Sequence, residues 1–477
     1  FGSSYLGTRW PREQRRTTGR ATTSADLQRR GRMLLFAAVA AALLPGHAGA
    51  AESWVDWLRG WKTETTVTDA AAEVIEVPAT NAKRWEPLKK LLDGWEFTQN
   101  YAVAIGTAEH GRLFLYEGGK FKMNTVIPTG STSKWPSAML FAGLVNDGTI
   151  KSLDDPINLY LPWWTKDSSD PRSAVTFRML LSFTSGFGDG HPGQEANSRA
   201  ASEWRASSGA ERAPATLEER LAMEIGAQEA SKCNTTTGDI TECAKSIYEN
   251  VKLIGTPGKV YSYNSNHLQI AAAVAVETAG LGIHDVVHKY LLVPYKMSKS
   301  YYMGKCPDFG GSLFTTGYDY ENFLAGVLGR RVLSKAITDA SEEDATPFMS
   351  SGYTLYGDYG FGHFLWCFDS VDGMTNKCRQ EQVHADPGAF GFIPFVDRKH
   401  NYYLEVVAAE IPPTGSYPLS GIPEYLAVAI KPHVDAILAP TPPDATRHAT
   451  HSPELLSLAL ADVNYCLNCV LHPETCS

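Results

Sequence analysis

The sequence predicts an α+β protein: an antiparallel sheet flanked by helices, with a helical lobe inserted between the first and last strands. Three observations carry that reading. Strand-like segments lie near both ends of the core, at 101–116 and 391–409. The stretch between them, about 131–305, is mostly helical in pattern. An apolar run at helical spacing, Tyr425 to Leu438, closes the core before the chain turns Pro-rich at Ala439.

Taken in order, a Trp-rich amphipathic stretch from Trp54 to Trp95, with Leu88, Leu91 and Leu92, reads as helix with connecting loop. Tyr101–Ile105 and Leu113–Tyr116 flank His110-Gly111-Arg112, the pattern of a β-hairpin. Ala138–Val145 is an apolar helix, stopped at Asn146-Asp147-Gly148, where glycine can take the left-handed cap. A Gly/Ala/Ser-rich loop from about Phe187 to Pro214 breaks the helical region and reads as an insertion. Gly310–Thr316 is a Gly-rich strand signal, with a helix next to it through Tyr318–Leu324. Gly391–Val396 and Tyr402–Ala409 are strands bracketing the turn Asp397–Asn401. No internal repeat is present.

The bulk numbers describe a globular chain with ample core: 477 residues, 43% hydrophobic and 20% charged. The net charge of −9 hides an asymmetry. Residues 1–32 carry eight Arg against Glu13 and Asp26, so the leader stands at +6 and the remainder at −15. An acidic body argues against nucleic acid as a partner. The apolar run Met33–Leu44 and the small residues around Ala48-Gly49-Ala50 complete the layout of a secretory signal over about 29–50. That run is too short to span a bilayer comfortably, so no stable membrane span is expected. Secretion is the expectation. Cysteine usage agrees: Cys233 with Cys243 and Cys367 with Cys378 are spaced for short-loop disulfides, Cys306 stands apart, and Cys466, Cys469 and Cys476 crowd the tail. Asn234-Thr235-Thr236 is a glycosylation sequon.

The chemistry concentrates in Gly130-Ser131-Thr132-Ser133-Lys134-Trp135, which holds the only Ser-x-x-Lys of the chain. A Ser and a Lys three apart at a helix start share one face, so an amine can reach a hydroxyl. That is the minimum for an activated serine nucleophile. The bland alternative is a solvated helix face. The segments downstream of Lys134 narrow the choice: the apolar helix, then Leu153-Asp154-Asp155-Pro156, then Leu180-Leu181-Ser182-Phe183-Thr184-Ser185-Gly186.

This succession resembles the serine β-lactamase-related family, which includes class C β-lactamases, D-alanyl-D-alanine carboxypeptidases and family esterases. The resemblance runs to about Leu438. It also takes in Gly310–Phe323, similar to the family's Gly-Gly-x-x-x-Thr-x-x-Asp-Tyr-x-x-Phe segment. It implies the family fold, with the active site in a cleft between lobes. Ser131 is then the nucleophile and Lys134 its base when neutral, with the backbone N–H of Ser131 as half of an oxyanion hole. Pro257-Gly258-Lys259-Val260-Tyr261-Ser262-Tyr263 places Tyr263 on the family's catalytic tyrosine, a general base and later acid. The family continues Ser-Asn after that tyrosine; here Asn264-Ser265 reverses it, so Asn264 or Asn266 can replace the substrate-binding amide only if the backbone shifts.

The family's third element, a Lys/His-Thr-Gly edge strand, corresponds to His384-Ala385-Asp386. His384 takes the Lys/His place, Asp386 stands where Gly is expected, and Pro387 removes a donor. A surface histidine beside a turn is the bland alternative for His384. Gly388-Ala389-Phe390-Gly391 is similar to the family's Gly-Gly-Phe-Gly, which puts Gly388 and Ala389 at the oxyanion hole. The altered element weakens a reading as dedicated β-lactamase or carboxypeptidase, both of which must hold a carboxylate.

Competing chemistries lack their motifs. There is no Gly-x-Ser-x-Gly elbow, no His-Glu-x-x-His and no Gly-x-x-x-x-Gly-Lys. No metal and no cofactor is expected. The expected organisation is a leader over 1–50, a helical extension over 51–95, a catalytic domain over 96–438 and a Pro- and Cys-containing tail over 439–477. Within the domain, a sheet lobe takes about 96–130 and 306–438, and a helical lobe about 131–305. The expected function is a secreted serine hydrolase acting on a small-molecule or peptide substrate with an ester or amide bond. A non-catalytic binding or sensor protein on the same scaffold is the alternative. Oligomeric state is not readable.

Overall fold

A computed structural model describes residues 83–95, 98, 100–188, 233, 238–348, 356–368, 374–409 and 421–439. The leader, the start of the helical extension, most of the 187–214 insertion, the sequon and the tail cysteines lie outside the described residues.

The elements match the patterning. Helix α1 (Glu86–Asp93) precedes strands β1 (Tyr101–Thr107) and β2 (Gly111–Gly118), the expected hairpin. Strand β3 (Ile127–Pro128) leads into a 3₁₀ turn, Gly130–Ser133, and helix α2 (Lys134–Asn146). Helices α3 (Ile240–Asn250) and α4 (Asn266–Ala279) build the helical lobe. Then come β4 (Tyr301–Tyr302), β5 (Leu313–Thr315) and helix α5 (Gly317–Leu328). Strands β6 (Tyr356–Tyr359), β7 (Phe364–Trp366), β8 (Val383–Ala385), β9 (Ile393–Asp397) and β10 (Tyr402–Ala408) complete the large sheet before helix α6 (Gly421–Leu438).

The large sheet is antiparallel throughout, in the order β2-β1-β10-β9-β8-β7-β6. The first and last strands of the core therefore meet inside it, with Val103 opposite Val406 and Ile105 opposite Leu404. Alternation splits β1 between two cores. Tyr101, Val103 and Ile105 join Leu88, Leu92, Leu426, Ile430 and Val434 of α1 and α6 on one face. Ala102 and Ala104 face the larger core of α2, α4 and α5. Helices cover both faces, so β1, β9 and β10 are buried almost end to end, which is why they read as continuous apolar runs. A second, three-stranded sheet, β3-β5-β4, lies beside the Ser131 turn; β5 falls on the expected 310–316 strand signal, while β3 and β4 have no signature in the sequence pattern.

Both expected cysteine pairs stand at disulfide distance, Cys233–Cys243 with Cα atoms 4.8 Å apart and Cys367–Cys378 with 5.1 Å, as suits an oxidising compartment. Cys306 is free and buried. No single helix among the described residues is long and apolar enough to cross a membrane.

Candidate active site

The site grows from the junction of β3, the 3₁₀ turn and α2. Gly130 enters it at φ +59°, a conformation that favours glycine, and a Cβ there would lie 3.3 Å from the Phe390 ring. The turn then sorts its side chains. Thr132 and Ser133 point into the core: Thr132 Oγ1 lies 2.8 Å from the Asp386 carbonyl and 2.9 Å from that of Phe392, while Ser133 Oγ donates to the Gly130 carbonyl at 2.6 Å and accepts from the Leu313 N–H at 3.0 Å. Ser131 stays part-exposed.

Lys134, one turn on, is 5% exposed. Its Nζ donates to Ser131 Oγ at 2.9 Å and to the Gly310 carbonyl at 2.8 Å. The same Nζ lies 4.4 Å from the centre of the Tyr263 ring. The three residues expected to carry the chemistry thus form one cluster. Tyr263 is held by Phe364, stacked at 5.6 Å, and by Phe183 at 5.9 Å. Phe183 itself sits at φ +61°, an uncommon position for an aromatic residue, and stacks on His267 at 5.0 Å.

The β8–β9 turn closes over Ser131. The Gly388 N–H donates to the Phe392 carbonyl at 2.8 Å, so it is consumed within the turn and is not an oxyanion donor. Gly388 has a steric part instead. A Cβ there would lie 2.2 Å from the Thr129 carbonyl oxygen, so only glycine lets the turn seat against the Ser131 segment. Ala389 comes next, part-exposed, with its nitrogen 3.5 Å from where a Gly130 Cβ would stand. Among the described residues neither the Ala389 nor the Ser131 N–H has a protein acceptor, and the latter is an orphan of its 3₁₀ turn. These are unspent backbone donors on the Ser131 turn and on the segment packed against its first residue, the kind of group an oxyanion requires.

Two expected site residues are placed elsewhere. Asn264 is buried, and its amide Nδ2 lies within hydrogen-bond reach of Ser262 Oγ at 2.8 Å, Phe187 O at 3.2 Å and His267 Nε2 at 3.2 Å, while Oδ1 accepts the Asn266 N–H. Asn266 Nδ2 donates to Gly188 O at 2.7 Å. Both amides tie the 187–188 segment to the start of α4. His384 is not at the surface either: it is buried, with Nδ1 3.1 Å from His363 Nε2 and Nε2 4.0 Å from Glu342 Oε2. Burial, and then the Arg398 charge, push its pKa down to about 3; burial and His384 do the same to His363, also about 3. The imidazole is thus a neutral core group, and no hydrogen bond joins it to Ser131 or Lys134.

Three contributors escaped the sequence reading: the Gly310 carbonyl, Phe183 and Asp386. Gly310 carried a signal, since it belongs to the Gly-rich run at 310–311. A Cβ there would meet Ser265 Oγ at 2.1 Å and Ser265 Cβ at 3.0 Å, so glycine lets that carbonyl approach Lys134 without moving the Ser265 side chain. Among the described residues one metal-like cluster exists, Asp397, His400 and Asp435, but the Lys431 ammonium already supplies the cation, 2.6 Å from Asp397 and 2.8 Å from Asp435.

A Ser–Lys–Tyr cluster at a helix start, between an antiparallel sheet and a helical lobe, coincides with a family model. The model named Beta-lactamase matches residues 94–409. The chain belongs to the beta-lactamase family. This is a family of serine hydrolases acting on ester and amide bonds. No curated protein matches the chain by sequence. Among solved structures, a protein assigned to the beta-lactamases from Bacteroides dorei DSM 17855 is 18% identical, with a TM-score of 0.51, covering 75% of this chain and 99% of its own. EstCE1, a hydrolase with promiscuous acyltransferase activity, is 15% identical, with a TM-score of 0.51, covering 72% of this chain and 97% of its own. At these identities the likeness establishes the beta-lactamase-type fold.

Proposed function

We propose that this chain is a serine hydrolase that cleaves ester or amide bonds through an acyl-enzyme on Ser131. The observation that carries the reading is the contact of Lys134 Nζ with Ser131 Oγ at 2.9 Å under the face of Tyr263. In this mechanism neutral Lys134 takes the Ser131 proton as the oxygen attacks the carbonyl carbon. The negative oxygen that forms accepts from the N–H groups of Ser131 and Ala389. Lys134 with Tyr263 returns the proton to the leaving alcohol or amine, and water releases the acyl group by the same steps in reverse.

The third element narrows the substrate. His384 is turned into the core, Ala385 offers no hydroxyl, Pro387 offers no N–H, and Asp386 is buried. These residues supply nothing to clamp a substrate carboxylate, which favours esters and amides without one over penicillins. We place the catalytic domain at 96–438. We also read the chain as secreted, on the signal-like 29–50 segment and the two short-loop disulfides.

The test is covalent labelling of the purified protein with a fluorophosphonate and, separately, with a labelled penicillin, then peptide mass spectrometry. Phosphonate on Ser131, absent from Ser131→Ala, with faint penicillin labelling, is the expected result. Folded protein that takes no label overturns the hydrolase reading in favour of a binding protein on the same scaffold.

A further inference from the structure

The first turn of α2 lacks a cap of its own. Ser133, at the N-cap position, makes no side-chain capping bond, because its hydroxyl is spent on the Gly130 carbonyl. Pro136 has no N–H to satisfy. The Lys134 N–H reaches the Ser131 carbonyl within the 3₁₀ turn. The Trp135 N–H donates to Asp386 Oδ2 at 2.9 Å, and the Lys134 N–H also points to that carboxyl. The cap comes from a residue 251 positions away, on the far side of the site. The bond is doubled at the backbone, since Thr132 Oγ1 lies 2.8 Å from the Asp386 carbonyl.

We infer that Asp386 is a positioning residue, which joins the β8–β9 turn bearing the Ala389 N–H to the helix start bearing Ser131 and Lys134. The inference rests on the hydrolase reading. Asp386 stands three residues before Ala389, with Pro387 and Gly388 between, neither of which carries a side-chain hydrogen-bonding group. Where the family's third element has glycine, this chain has a side chain that reaches across and accepts backbone N–H groups at the start of α2. In doing so it fixes the spacing between the two halves of the oxyanion hole, Ser131 N–H and Ala389 N–H.

The carboxyl does this as a neutral group. Asp386 is 0% exposed, and Oδ1 has no hydrogen-bond partner. The groups facing it are Lys134 and the phenols of Tyr302, Tyr320 and Tyr359. Lys134 Nζ is committed to Ser131 and Gly310. Burial pushes the carboxyl well above the usual range, against the pull of the Trp135 N–H and the lysine. A neutral acid caps the helix through an uncharged oxygen.

Asp386→Asn keeps the shape and the acceptor; Asp386→Ala removes both. The fluorophosphonate acylation rate of Ser131, measured against pH in the full chain, reads oxyanion geometry and Lys134 protonation together. We expect Asp386→Ala to slow acylation on the order of a hundredfold, the scale of a misplaced reacting group. Asp386→Asn should stay within about threefold of wild type, with the same pH midpoint. Wild-type acylation in Asp386→Ala overturns the positioning role. A lowered pH midpoint in Asp386→Asn overturns the neutral state, because it identifies an anion lost from beside Lys134. If Asp386→Ala does not fold, the Asn variant decides alone; its own failure to fold also counts against a neutral acid. Failure of the wild type to label at Ser131 is a separate outcome: it removes the hydrolase reading, and this assignment with it.

Discussion

Replacing Gly388 by alanine would put a methyl 2.2 Å from the Thr129 carbonyl oxygen and 2.4 Å from Thr132 Oγ1. The Gly388 backbone does not occupy the left-handed region, so alanine meets no conformational penalty and the effect is purely steric. Contacts below 3.0 Å are not sustained, so the turn must withdraw by about 0.8 Å from the Ser131 segment. Ala389 is the next residue, and its N–H moves with the turn. Loss of one oxyanion donor costs on the order of 10²- to 10³-fold in rate, about 3–4 kcal/mol. Overpacking adds about 1–3 kcal/mol of destabilisation. Fluorophosphonate acylation at a temperature where circular dichroism shows folded protein separates the two effects. A Gly388→Ala protein that is folded and acylates within threefold of wild type would refute the placement of the oxyanion hole.

Other perturbations reach different parts of the molecule. Ser131→Ala should abolish labelling and lower any hydrolysis by roughly three decades or more; Lys134→Ala should be nearly as damaging, and a near-wild-type rate would remove the lysine from the mechanism. Gly310→Ala introduces a Cβ 2.1 Å from Ser265 Oγ and displaces the carbonyl that holds Lys134 Nζ, so acylation should fall while far-UV circular dichroism is unchanged; an unaltered rate would show the carbonyl to be dispensable. Glu405 gives a pH test. It is 0% exposed with neither oxygen hydrogen-bonded, and burial, then the Glu321 charge, hold its carboxyl well above the usual range. Its folded-state pKa is raised, so its stability contribution is fully present below the unfolded value of about 4.3 and is lost as pH rises, by about 1.4 kcal/mol per unit. Glu405→Gln removes that slope: urea unfolding should show the variant gaining roughly 2–3 kcal/mol on wild type between pH 5 and pH 7, and parallel pH curves would contradict a protonated Glu405.

The parts legible in the sequence are those written locally. The 101–118 hairpin declares itself by strand residues around His110-Gly111, and α2 by an apolar run ending in a glycine stop. Ser131 and Lys134 are one turn apart, so their contact is a consequence of helix geometry alone. Tyr263 is reachable only through motif order, because nothing local to Pro257–Tyr263 says what its ring will cover. The misplacements have one cause. Asn264 and His384 are assigned by register along the chain, but a side chain's direction is decided by what packs on it: Phe187 and Ser262 for Asn264, and His363 for His384. Asp386 and the Gly310 carbonyl act across 251 and 176 residues, on partners no sequence window contains. The two-residue strands β3 and β4 are too short to show a period. Helix α6 starts at Gly421 rather than near Tyr425, because Pro423 is tolerated in a first turn.

The sharpest test of the acyl-enzyme is a rapid-quench reaction of the full chain with a p-nitrophenyl ester, reading released phenol and protein mass together. A burst of about one phenol per chain before steady turnover is expected, with the acyl mass on the peptide that carries Ser131 and none in Ser131→Ala. Phenol release that persists in Ser131→Ala, or turnover with no acyl group on that peptide, would contradict covalent catalysis by Ser131.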